Sequence, residues 1–220
     1  GGGGGGVWAV CRLAAGACGV GLGAVRAAGA DTGRVVRDLL AATAERPAHL
    51  GCFGLHEWAM VYRQTPERVR HASWPLRLGS QETDAVVESH QIRCSHFDAF
   101  RFFTSAALPL NALAPSRDSQ VAMEQPGCLH ANMDLYKWAY KLSPAVPSAL
   151  TLDCFALARE VRKLDMRAAP YDLSELGVEP IRIEPPTGKA EYVEAQRDFA
   201  SRARPLRLRL IAACDAIDPT

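Results

Sequence analysis

The 220-residue sequence lacks an excess of charge of either sign: 25 Lys and Arg face 24 Asp and Glu, for a formal net charge of +1. This removes the strongly basic balance of a protein that holds nucleic acid by charge alone, and leaves room only for a local basic face. No apolar run reaches the ~20 residues needed to cross a bilayer. The longest candidate, Leu13–Val25, is short and stands between Arg12 and Arg26. The seven cysteines form no CxxC and no dense framework. An odd number of scattered thiols in a chain large enough to bury its own core points to free cysteines in a reducing compartment, hence a cytoplasmic protein. Internal repeats, Walker loops, GxGxxG and GxSxG are all missing, so no motif announces nucleotide binding or a serine nucleophile.

Glycine is concentrated where it builds least. Residues 1–6 are all Gly, and Gly, Ala and Val dominate as far as Ala30. The run between Arg12 and Arg26 has the length of a signal-peptide or transit-peptide core. The compositional reading is a low-complexity lead-in over residues 1–32, expected to be disordered because Gly loses backbone entropy and packs nothing. The folded part is then residues 33–218, expected to be a single, mainly α domain with a minor β element.

Within that part, apolar spacing predicts helices. Val35, Val36, Leu39 and Leu40 follow Asp31 or Thr32 as a cap, and Pro47 closes their helix. Leu55, Trp58, Ala59 and Tyr62 predict a helix over 54–63. Residues 64–82 read as irregular, and 84–94 as a short strand or hairpin. His96–Thr104 reads as a short aromatic helix. Leu129, Met133, Tyr136 and Tyr140 predict a helix over 130–141. Ser148 is placed to cap the next, whose stripe is Cys154, Leu157, Ala158, Val161 and Leu164. Residues 170–186 read as extended, with Ile181 and Ile183 alternating like an edge strand. A last helix spans 189–217, with Pro205 expected to kink or split it.

Polar chemistry gathers in three segments that each start in a turn and end in a helix: Gly51-Cys-Phe-Gly-Leu-His-Glu-Trp58, Arg93-Cys-Ser-His-Phe-Asp-Ala-Phe-Arg101 and Glu124-Gln-Pro-Gly-Cys-Leu-His-Ala-Asn-Met-Asp-Leu-Tyr-Lys-Trp138. His56, His96 and His130 thus fall near helix N-termini, where backbone N–H groups favour an anion. With His90 nearby, one shared pocket is expected.

The strings GCFGLHEWAMVYR (51–63), VVESHQIRCSHFDAFRFFT (86–104), EQPGCLHANMDLYKWAYKLSP (124–144) and LDMRAAPYDL (164–173) resemble a group of bacterial proteins named 3-methyladenine DNA glycosylase. The likeness covers most of residues 34–215. Members of that group open with a segment holding a His-Pro element and a Tyr/Trp-rich stretch, which is not present in this sequence. The resemblance implies a DNA-repair enzyme that hydrolyses the N-glycosidic bond of alkylated purines in DNA. It supplies no catalytic assignments, so roles follow from residue chemistry. A methylated purine is a cation and leaves readily. The enzyme must extrude it, stack it on aromatics and stabilise the positive sugar left behind.

The carboxylates available for that last task are Asp98, Glu57, Asp134 and Glu124. Asp98 comes first, because His96 and Arg101 share its helix. Arg101, His130, Lys137 and Trp138 are the candidate substrate-binding residues, Lys137 and Lys141 being placed to hold phosphates. Each has a plainer reading. Trp58 and Tyr136 lie on core stripes, Asp98 and Arg101 are spaced for an ion pair, Asp134 can pair with Lys137 or Lys141, and Glu57 can finish a first turn. The Arg202, Arg204, Arg207 and Arg209 run reads as a solvated helix face. No cofactor is required, although Cys52, His56, Cys94, His96, Cys128 and His130 together could hold zinc. Cys128 beside a histidine is a further candidate, as a nucleophile. The alternatives to the glycosylase are therefore a small-molecule enzyme, with or without zinc, and a non-catalytic binding protein.

Overall fold

A computed structural model of the chain describes residues 10–12, 18–20, 22–69, 71 and 73–217. As expected, the fold is mainly helical. Strands β1 (Val10–Arg12) and β2 (Cys18–Val20) pair antiparallel. Helix α1 (Leu22–Glu45) begins well before Asp31, so 22–32 is helical and does not belong to a lead-in. That stretch is rich in Ala and free of Pro, which suits a helix interior. Asp31 caps nothing; it accepts from Arg34 at 2.5 Å, one turn on. The remainder of the expected lead-in, 1–9, 13–17 and 21, lies outside the described residues.

Helix α2 (Leu55–Ala59) is shorter than its apolar stripe, yet Leu55, Trp58, Ala59 and Tyr62 are all buried. Gly54 precedes it at φ 71°, and a Cβ there would sit 3.2 Å from that of Ala168. Helix α3 (Ser80–Glu88) replaces the strand or hairpin expected over 84–94. Val86 and Val87 favour strands in isolation. With Thr83, however, they occupy i, i+3 and i+4, and all three are buried. The Glu82 carboxylate accepts from the Gly79 N–H and so holds the first turn of α3.

Helices α4 (Phe97–Phe100) and α5 (Gln120–Met123) are single turns. Helices α6 (Leu129–Lys141), α7 (Ser148–Ala168) and α8 (Pro186–Ile217) pack on one another, and α1 lies along α8. Their shared core includes Leu40, Leu135, Leu157, Val161, Tyr192 and Leu210. Pro205 does not split α8. Both Pro205 and Ser201, whose carbonyl loses its helical donor, face solvent, where water can replace the bond.

Ile181 and Ile183 are both fully buried but pair with no strand among the described residues. Their segment is fixed by the Ile181 N–H to the Arg167 carbonyl, at 2.7 Å, and by α8. A Cβ on Gly188 would fall 1.6 Å from the Arg182 carbonyl oxygen, so only glycine allows this approach. Among the described residues, no helix is long and apolar enough to cross a membrane. Cys52, Cys94, Cys128, Cys154 and Cys214 are free thiols.

Candidate active site

The three polar segments do converge. Cys52, His56, Cys94, Cys128 and His130 border one crevice of about 10 Å³, room for a single water or ion. The His130 ring stands between the other two histidines, its centroid 4.5 Å from His56 and 5.2 Å from His96.

On one side of His130, the His56 Nε2 lies 3.0 Å from Asp165 Oδ1, and both side chains are buried. The His56 Nδ1 contacts Cys52 Sγ at 3.7 Å. Burial opposes a charge on His56, but the Asp165 carboxylate and the Cys52 thiol outweigh it and hold its pKa well above the usual value. Burial likewise disfavours the Asp165 anion, and His56 more than reverses this. His130 is pushed down to about 3, by burial and then by the positive charge favoured on His56.

On the other side, His96 Nε2 lies 3.3 Å from Asp134 Oδ2 and 3.5 Å from Glu124 Oε2. Lys137 forms a very short ion pair with Asp134 and a second, at 3.4 Å, with Asp98. Burial would raise the Asp134 pKa, but His96 and Lys137 bring it below the usual carboxylate value. Glu124 is raised by burial. Burial also drives the thiols upward, Cys94 to about 12 and Cys128 well above its ordinary value, so neither supplies a ready thiolate.

Glu57 borders both this core, its Oε1 lying 3.8 Å from His56 Nε2, and a separate slot. Arg162 joins the two, donating to Glu57 Oε1 at 3.1 Å and to Asp165 Oδ2 at 2.5 Å. The slot has a volume of about 140 Å³ and is bordered by Trp74, Tyr171, His71 and Met166, with Glu57 and Arg162 supplying the charge. Two loops build it. The Arg77 N–H donates to the Pro170 carbonyl and the Asp172 N–H to the Pro75 carbonyl, at 2.8 and 2.7 Å. A larger cavity of about 260 Å³ also borders Trp74, but among the described residues no ionisable side chain lines it.

The expected site residues therefore divide. His56, His96, His130, Asp134 and Glu57 belong to this network or its slot. Asp98 is partly exposed and paired with Arg101 and Lys137, the plain ion-pair arrangement. Trp138 is partly buried against the core, with the Lys137 and Lys141 ammonium groups 4.4 and 5.3 Å from its ring. Trp58 is wholly buried and donates to the Ala168 carbonyl at 2.9 Å. Tyr136 stacks on Tyr140 and Phe155. In the arginine run, Arg202 and Arg209 form surface ion pairs and Arg204 is exposed. Arg207 is not on the solvated face. It is 1% exposed and donates to Asn132 Oδ1 at 2.7 Å, because it shares the inward stripe of Ala203 and Leu210.

Asp165, Arg162, Trp74 and Tyr171 were not anticipated. Asp165 had a signal: with Val161, Leu164 and Ala168 it completes i, i+3, i+4 and i+7, an acid on an apolar stripe. Trp74 and Tyr171 come from loops far apart in the chain and had none. The described donor atoms set closely enough for a metal fall into two groups, His56/His130/Asp165 and His96/Glu124/Asp134, and neither includes a thiol. No protein-family model, curated protein or solved structure matches the chain.

Proposed function

We propose that the chain is an N-glycosidic hydrolase that takes an alkylated purine into the aromatic slot beside Glu57. The observation that carries this reading is the slot itself: a cavity sized for a base, with aromatic side chains and one carboxylate. The resemblance of residues 34–215 to the glycosylase group supports the same chemistry. Stacking on Trp74 and Tyr171 suits a cationic base, since their ring faces are electron-rich.

As the C1′–N bond lengthens, its electron pair moves to the base and cancels the base's charge. Positive charge then develops on the sugar, where the Glu57 carboxylate stabilises it. Water adds its oxygen to C1′ and loses a proton to Glu57. Arg162 fixes the carboxylate through its 3.1 Å bond.

The base can be presented by DNA or by a free nucleoside. Pairing of Arg202 and Arg209 with carboxylates, and the packing of Trp138, favour the smaller substrate as a second reading. The test is chromatographic detection of methylated purine after incubation with alkylated duplex DNA and, separately, with 7-methylguanosine. Release from DNA alone supports the repair enzyme, and release from the nucleoside alone supports the second reading. No release from either ends the proposal. Removing a stacking face should cost about 1–3 kcal/mol of base binding. Trp74→Ala should therefore raise KM by about 5- to 150-fold in whichever assay is active.

A further inference from the structure

We propose that His56, His130 and Asp165 bind one divalent transition-metal ion. The proposal stands apart from the slot reading and is tested by metal content, not by base release.

The donor atoms of these three side chains all lie within 4.8 Å of one another. Some point is therefore at most about 2.8 Å from all three, and small side-chain rotations bring them to the ~2.0–2.2 Å of nitrogen and oxygen ligands. The hydrogen bonding points to two of the same side chains. The His56 Nε2 and Asp165 Oδ1 approach to 3.0 Å but are not aligned as a hydrogen bond, and neither has any hydrogen-bond partner among the described residues. The two buried atoms thus face each other at ion-pair distance without an aligned hydrogen bond, an arrangement that a shared cation would complete.

The outer contacts suit that species. Cys52 engages His56 Nδ1, which directs the Nε2 lone pair inward, and Arg162 holds the far oxygen of Asp165. The crevice that borders His56 and His130 leaves space for a water ligand on the ion. Two imidazoles with one carboxylate suit zinc or iron(II) and do not suit magnesium or calcium, which take oxygen ligands. The neighbouring His96/Glu124/Asp134 group is different. Its Asp134 is already matched by the Lys137 ammonium, and its Glu124 by Gln120.

The experiment uses the full chain, stripped with a chelator and desalted. It is dialysed against Zn²⁺, against Fe²⁺ without oxygen, or against Mg²⁺, and bound metal is measured by elemental analysis. The folded protein should retain about one equivalent of zinc or iron and no magnesium. Co²⁺ should give visible absorption bands from an imidazole–carboxylate site. Asp165→Asn and His130→Gln should each retain less than about a tenth of that metal. His96→Gln should retain all of it. Cys52→Ala should bind about 10–100-fold more weakly, the effect of losing an orienting contact. The proposal falls if stripped wild-type protein, folded by circular dichroism, takes up neither zinc nor iron. It also falls if His96→Gln loses as much metal as His130→Gln. The His130 variant and the wild-type stoichiometry decide the matter even where Asp165→Asn does not fold.

Discussion

Replacing Glu57 by Gln separates catalysis from stability. The Glu57 side chain is 8% exposed, and its Oε1 lies 3.1 Å from Arg162. The amide keeps the volume and its oxygen can still accept from the guanidinium, so it leaves no hole and Arg162 keeps its acceptor. What disappears is one unit of charge. Arg162 retains Asp165 at 2.5 Å and is itself 47% exposed, so solvent screens the loss. The expected cost in stability is about 1 kcal/mol, or ~2–4 °C in Tm for a domain of this size. Activity has no such cushion. A carboxylate that receives the proton of the attacking water contributes about 10²–10⁴ in rate. Glu57→Gln should therefore lose at least about 100-fold in kcat/KM while melting within a few degrees of wild type. Released base is measured by chromatography and melting by circular dichroism on the same preparations. A variant that keeps activity to within about threefold would refute the role assigned to Glu57. So would a collapse in Tm large enough to account for the lost rate.

Three further outcomes follow from named contacts. Asp98→Asn should leave base release unchanged and cost less than about 1 kcal/mol in chemical denaturation, because Asp98 sits in a partly exposed ion pair. Gly188→Ala should cost more than about 3 kcal/mol, or give no soluble protein, since its Cβ would lie 1.6 Å from the Arg182 carbonyl oxygen and backbone must move. The Tyr62 hydroxyl, and then Arg63, lower the Glu88 pKa below its ordinary 4.5. The stability this contributes is complete above that ordinary value and is lost as pH falls through the lower folded-state value. Tyr62→Phe should therefore narrow the stability difference between neutral and acid pH in urea melts, and an unchanged difference would contradict the assignment.

Much of the fold was legible because amphipathic helices repeat their apolar residues. Leu55, Trp58, Ala59 and Tyr62 are buried as their spacing requires, and so are Cys154, Leu157, Val161 and Leu164. Residues 84–94 misled because Val86 and Val87 favour strands locally, whereas packing beside α2 selects the helix. Ile181 and Ile183 alternate as a strand does, yet they enter the main core and no partner strand is present among the described residues. The convergence of His56, His96 and His130 was readable from three segments of similar pattern. Arg207 and Asp165 were harder, because a charged residue on an inward stripe is exceptional and needs its partner to be known. The slot lay beyond sequence altogether, since Trp74 and Tyr171 meet only through pairing of the 75–77 and 170–172 loops.

Helix α8 touches α1, α6 and α7, and its last buried residues, Cys214 and Ile217, belong to the same core as Val36 and Leu40. During synthesis, therefore, α1 waits for α8, which follows only after α7. Until the ribosome has released residues through Ile217, the parts of α1, α6 and α7 that α8 covers remain open to water and to other nascent chains. Such distant pairing slows folding and gives chaperones a defined interval in which to act.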